Sequence, residues 1–265
     1  MPEGLRILAT QSIAALGLAI VLGVLVKPDV PTLEGGTATL PPQGPNGVGS
    51  PGDPTLFSPE ELRTLQQRFG VHGPQTPLAQ LLTRGVDQLQ PLRTQTLDKI
   101  KALKPVIVRE AQQHHLNPML LTAILFDEIQ HSKPGEDLPF IVHSGFVKTH
   151  GPAQIGISEL IHQKMLPENP SDEDIAWARD ILLDPNENVI ILAGKIQRLK
   201  RALGLPTNTA LQASRNHLDT KAIATLAYLH NGKLDYPARV LHYMQDPELH
   251  GVIYSTQTAP SSWLI

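Results

Sequence analysis

The stretch from His114 to His131, HHLNPMLLTAILFDEIQH, decides how this chain is read. Asn117 followed by Pro118 is a helix start: the Asn side chain accepts from an early backbone N–H, and Pro at the first helical position loses no bond. From there Leu120, Leu121, Ile124, Leu125 and Ile129 can share an apolar face. Asp127 and Glu128 arrive at the end of this almost wholly apolar run. A carboxylate beside Ile124, Leu125 and Phe126 is expected in low dielectric, which favours its protonated form. That is the setting of a general acid working near neutral pH. A raised pKa would make ionisation oppose folding, so Glu128→Gln is expected to be neutral or stabilising at pH 7. The competing reading is that Asp127 and Glu128 mark the solvent face of an amphipathic helix.

Helix signals continue on both sides. Ser58-Pro59-Glu60-Glu61 combines an N-cap, a first-turn Pro and acidic residues at the positive end of the helix dipole. Ser171-Asp172-Glu173 and Asp184-Pro185 are further starts, and Gly204 after LAGKIQRLKRAL fits a C-terminal cap. No alternating run is long enough for a central strand, and no repeat with a period of 20 to 50 residues is evident. The fold class expected is therefore all-α, with about seven to nine helices from Ser58 onward. Residues 58–103 read as a helical extension broken near Pro91, and 104–265 as the main domain.

The N-terminal part has different chemistry. Residues 7–26, ILATQSIAALGLAIVLGVLV, carry no charge; as a helix they would rise about 30 Å, the thickness of a bilayer's hydrocarbon core. A cleaved signal peptide is the alternative, but no small-x-small site follows the run. Residues 1–27 are accordingly read as a membrane anchor or signal segment. Arg6 and the amine precede the span, a bias that favours an exported C-terminal body; a cytoplasm-facing scaffold is the opposite orientation. Residues 28–57 hold seven Pro and six Gly without hydrophobic periodicity, which reads as an extended tether.

Composition narrows the chemistry. With 22 Lys+Arg against 25 Asp+Glu the net charge is −3, so the chain lacks the basic surface that nucleic acid requires. It contains no cysteine, which removes disulfides, thiolate metal sites and a thiol nucleophile. Eleven histidines raise the question of a metal. Glu128-x-x-His131 and Glu159-x-x-His162 have the spacing of di-iron bundle ligands, but a Gly-Pro turn separates the pairs and no metal or other cofactor is expected.

Four motifs in order resemble the lysozyme-like superfamily, specifically lytic transglycosylases and goose-type lysozymes. They are Leu116-Asn117-Pro118-Met119-Leu120-Leu121-Thr122-Ala123-Ile124 leading to Glu128; Gly151, Gln154 and Ile155 in HGPAQIG; Asp184-Pro185-Asn186-Glu187-Asn188 before Ala193-Gly194; and Ala227-Tyr228-Leu229-His230-Asn231-Gly232. The resemblance covers roughly residues 104 to 245. It implies a lysozyme-like fold and cleavage of peptidoglycan glycan strands, with Glu128 as the single catalytic acid and then base. It also implies substrate contacts from Gly151, Gln154, Ile155, Tyr228, His230 and Asn231. Transglycosylases of this kind need one carboxylate because the substrate's acetamido group assists and its 6-hydroxyl closes an anhydro ring.

The pattern departs from the family in places. Ile129 follows Glu128 where Ser is usual, and Lys148-Thr149 replaces a Gly-Ala pair. The Tyr-Asn pair is interrupted, so either Tyr228 or His230 stands where the acid would be contacted. The insert Ser132–Ser144 is expected to wall the cleft, and Glu136 or Asp137 within it would be a second carboxylate if it approached. Gln154 is either a sugar-orienting amide or a turn residue bonding local backbone. The expectation is that Glu128, Gln154 and Tyr228 converge on one concave surface, Tyr228 positioning the acid. The alternative function is a catalytically silent peptidoglycan-binding or scaffold protein on the same fold.

Overall fold

The computed structural model describes residues 52–70, 90–132, 138, 142–144, 148–213 and 217–255. The span 7–26, the tether up to residue 51 and most of the 132–144 insert, including Glu136 and Asp137, lie outside the described residues. Among those described, no helix is long and apolar enough to cross a membrane.

The described chain is mostly helical. Nine helices form among the described residues: α1 (Pro59–Phe69), α2 (Gln90–Gln113), α3 (Pro118–His131), α4 (Ile157–His162), α5 (Asp172–Leu183), α6 (Pro185–Ala202), α7 (His217–Asn231), α8 (Tyr236–Tyr243) and α9 (Pro247–Tyr254). Local chemistry sets most of the starts. Ser58 and Ser171 build capping boxes with Glu61 and Asp174. Asn117 accepts from the Met119 amide, and Asp184 accepts from those of Asn186 and Glu187, each before a first-turn Pro.

Helix α3 is the axis of the core. Every residue from Met119 to Gln130 is buried, so the helix is enclosed all round rather than on one face. The competing reading, a solvent-facing Asp127 and Glu128, is thereby overturned: they are 1% and 8% exposed. Helices α2, α6, α8 and α9 pack against α3. Pro105 sits inside α2, where it removes one helical hydrogen bond. The buried Ile100, Leu103, Val106 and Ile107 on either side of it hold the helix against the core.

One expected boundary falls differently. The division drawn between 103 and 104 lies within α2, and residues on both sides of it enter the same core. Pro91 stands in the first turn of α2, and residues 71–89, on the other side of the expected break, lie outside the described residues. The tether's last residues are also part of the folded unit. Phe57 packs on the Tyr228 ring at 5.3 Å, Lys221 Nζ lies 4.0 Å from the Phe57 ring centre, and the same ammonium donates to the Leu56 carbonyl at 2.6 Å.

A two-stranded antiparallel hairpin, β1 (Thr149–His150) and β2 (Ile155–Gly156), interrupts the helices, with Thr149 opposite Gly156 and His150 opposite Ile155. Its turn is clamped by Asn188 of α6, which is fully buried. Asn188 Oδ1 accepts from the Ala153 amide at 2.8 Å, and its Nδ2 donates to the His150 and Leu182 carbonyls at 3.0 and 2.9 Å. Gly151 adopts φ +71°, and a Cβ there would stand 2.1 Å from the Leu182 carbonyl oxygen; only glycine fits this approach. Asn188→Leu removes these three hydrogen bonds to buried backbone groups, so it should cost about 3–5 kcal/mol, a Tm loss of roughly 10 °C or more in thermal denaturation. A loss under about 2 °C would mean the clamp is not what holds the hairpin.

Candidate functional site

The end of α3, the hairpin turn and the α7–α8 connection meet around a polar cleft of about 320 Å³. Glu128, Thr149, Gln154, His230, Asn231 and Lys233 all line it. On its other side Glu128 borders a second hollow of about 350 Å³, walled mainly by Leu103, Ile129, Pro152 and Leu183. The carboxylate therefore stands where a polar and an apolar surface join.

Helix α7 ends at Asn231, and Gly232 at φ +82° turns the chain left-handed into the next segment. That turn places His230 and Asn231 beside α3. Asn231 Nδ2 donates to Glu128 Oε1 at 2.9 Å. His230 Nε2 lies 3.5 Å from the same oxygen, with the side chain 1% exposed. Behind it, Lys195 Nζ donates to the His230 carbonyl at 3.1 Å. Helix α8 then returns Tyr236 and Arg239 to the site. The Tyr236 ring stacks on His230 with centroids 6.0 Å apart.

The two adjacent carboxylates are treated differently. Asp127 is locked by Arg239, which donates to its two oxygens at 2.7 and 3.0 Å and to Asp235 at 2.5 Å. Among the described residues, Glu128 has no cationic side chain in direct contact apart from His230 when protonated. Burial is the largest influence on Glu128 and pushes its pKa up; His230, Asn231 and Tyr236 together outweigh it and hold the group at about 2. This reverses the expectation of a raised value. The apolar neighbours along α3 do desolvate the carboxyl, but the hydrogen-bond donors come from α7 and α8. His230 is pushed down, by burial first and the Lys195 charge second, against the pull of Glu128 and Glu159. Tyr236 is pushed well above the usual phenol range by burial and then by the Glu128 and Asp127 charges.

Glu128, Gln154, His230 and Asn231 are thus brought together. Gln154 lines the cleft from a left-handed backbone at φ +48°. Its amide is also engaged locally, accepting from Thr149 Oγ1 at 2.7 Å and donating to the Gly151 carbonyl at 3.3 Å. Tyr228 is placed elsewhere: fully buried, it packs against Phe57 and does not line the cleft. Two residues along a helix point to nearly opposite sides, so His230 faces Glu128 and Tyr228 cannot. Ile155 is fully buried in the core, and Gly151 serves the tight hairpin turn while bordering the apolar hollow. Neither lines the polar cleft.

Sequence reasoning missed Tyr236, Arg239, Lys195 and Thr149. A buried Asp127 next to Glu128 demanded a cation, and the Asp235-x-x-x-Arg239 pair on the α8 turn was the available signal. The two Glu-x-x-His spacings do not make a metal site. His131 Nδ1 lies 2.7 Å from the Asp127 carbonyl oxygen rather than meeting Glu128, and Glu159 is taken by Arg198 at 2.5 and 3.0 Å. Among the described residues no group of three or more His, Asp or Glu could hold a metal ion. Comparison of the chain with protein families, with characterised proteins and with solved structures gives no match.

A carboxyl depressed in the fold stabilises it above the unfolded pKa of about 4.3, and that stability is lost as pH falls toward the folded value. Glu128→Gln should therefore be destabilising at pH 7, by about 1–2 kcal/mol or roughly 3–6 °C in Tm. The gap between variant and parent should close as pH drops below about 4. A variant as stable as the parent at pH 7, with no pH trend, would mean that Glu128 is not held by these donors.

Proposed function

We propose that this cleft cleaves the glycan strands of peptidoglycan at the MurNAc–GlcNAc bond, with Glu128 as acid and then base on a lysozyme-like helical domain. The observation that carries the reading is the meeting of Glu128, Gln154 and Asn231 in one open polar cleft, the order of motifs that resembles lytic transglycosylases and goose-type lysozymes. Breaking a glycosidic bond requires a proton on the leaving oxygen and stabilisation of a positively charged sugar ring. Glu128 borders the open volume and is itself nearly enclosed, so an occupying sugar would complete its desolvation. Gln154 is positioned at the cleft wall to bond hydroxyl or acetamido groups. The apolar hollow on the far side of Glu128 suits the faces of a second sugar ring. No cofactor is required. In this reading residues 7–26 anchor the protein in the membrane and the helical body works on the exported side, beside the wall.

A second reading has its own support. Glu128 is held as a carboxylate by its donors, the form that cannot donate a proton. A silent peptidoglycan-binding or scaffold protein would need no more than this polar groove. The two readings separate cleanly in one assay. The full-length protein in mild detergent, incubated with purified sacculi, should release soluble muropeptides. Glu128→Gln should lower the rate by about 10²–10⁴-fold, the usual worth of a general acid–base. Gln154→Ala should weaken turnover while keeping the melting transition. Sedimentation with insoluble peptidoglycan that survives Glu128→Gln, with no soluble products from either protein, would instead establish the silent binder.

A further inference from the structure

Where the motif order leads one to expect a tyrosine against the acid, this chain presents a histidine. The His230 side chain is 1% exposed, and its Nε2 stands 3.5 Å from Glu128 Oε1. Its Nδ1 is buried without a hydrogen-bond partner among the described residues. The ring is fixed from several sides. Lys195 holds the backbone carbonyl, Tyr236 stacks on one face, and Asn231 pins the carboxylate opposite. The charged and titratable groups facing the ring are Glu128 on α3, Lys195 on α6, Glu159 on α4 and Tyr236 on α8. Asp127, Arg239 and Lys233 line the same cleft.

We propose that His230 and Glu128 share one proton, with His230 storing in the resting cleft the proton that Glu128 delivers during the reaction. The delivery step rests on the glycan-cleaving reading above; the shared proton does not. An imidazolium at this position carries a buried Nδ1–H with nothing to accept it, which is costly unless a negative charge stands close by. Glu128 is that charge. The ion pair is therefore conditional: each partner's charged form depends on the other.

A sugar entering the cleft changes the balance. It excludes water from the polar cleft that Glu128 lines, and separated charges lose more by desolvation than a neutral pair does. The proton then passes from Nε2 to the carboxylate, leaving neutral imidazole and a carboxylic acid. The acid protonates the glycosidic oxygen as the C1–O bond breaks and its electron pair stays on that oxygen. The hydroxyl that captures the sugar cation returns its proton to Glu128, and the pair regains what it gave. Lys195, fixed behind the ring, limits how long the imidazolium survives as pH rises. His230 is thus a positioning and proton-storing residue, and it sets the alkaline edge of the chemistry.

The test has two arms on the full-length protein. In the first, the imidazole signals of His230 are assigned by correlation with its own backbone amide and followed by NMR against pH. The expected midpoint lies below the ordinary histidine value of about 6.5, and moves further down in Glu128→Gln because the supporting charge is gone. A His230 midpoint that does not respond to Glu128→Gln overturns the shared proton, whatever the protein does to glycan. In the second arm, release of muropeptides from sacculi is measured against pH. The alkaline limb of the parent should coincide with the His230 midpoint. In His230→Gln, kcat should fall at least tenfold with KM little changed, and the limb should leave that position. An unchanged limb in an active His230→Gln variant overturns the role in delivery. A His230→Gln variant that fails to fold leaves the parent's coincidence of limb and midpoint as the deciding result, and a mismatch there overturns the delivery role equally. If the parent cleaves nothing at any pH while His230 still responds to Glu128→Gln, the glycan reading and the delivery step fall and the proton-sharing pair stands.

Discussion

Burying two neighbouring carboxylates at the end of an apolar helix is the constraint around which the rest of this structure is arranged. Asp127 and Glu128 lie inside the core because α3 is enclosed on every side. An isolated buried carboxylate is costly enough that the fold must supply donors. It does so from one short stretch, the end of α7 and the start of α8. Arg239 answers Asp127, and Asn231 answers Glu128. This requirement fixes how α8 docks on α3 and where α7 must stop. The left-handed Gly232 is the hinge that allows both helices to present donors to the same place. On the opposite side the Asn188 clamp and the glycine at 151 bring the hairpin turn to the cleft, and with it Gln154.

Local features were legible in the sequence because their chemistry is local. The caps at Ser58, Asn117, Ser171 and Asp184 each involve residues two or three positions apart. The all-helical class follows from them together with the absence of long alternating runs. Part of the site was legible too: Glu128, Gln154, His230 and Asn231 were singled out from motif order and do line one cleft.

What escaped was non-local. The sign of the Glu128 shift depended on donors more than 100 positions away, whereas its sequence neighbours spoke only of desolvation. The choice between Tyr228 and His230 is a question of helix phase, settled by what covers each face of α7. Phe57 covers the Tyr228 side. It comes from a stretch whose Pro and Gly content marks it as tether, which hid a docking residue in plain view. The division at 103/104 failed for a related reason: it was drawn where the motif resemblance begins, but α2 runs through it and packs into the same core on both sides.

The unequal treatment of the two carboxylates is the strongest physical argument that the site has work to do. If the only task were to bury charge safely, the Arg239 solution at Asp127 would serve twice, since a bidentate guanidinium satisfies both oxygens and never loses its proton. Glu128 receives instead a neutral amide, a histidine that can change charge, and a buried phenol. It also borders two hollows where Asp127 touches one. Adjacent carboxylates in divergent environments are how one site assigns a fixed role to one group and a variable protonation state to the other. Asp127 with Arg239 is the fixed pair that ties α3 to α8. Glu128, with an amide and an imidazole as partners, has a set that one proton would rearrange, which is what the proposed proton sharing requires.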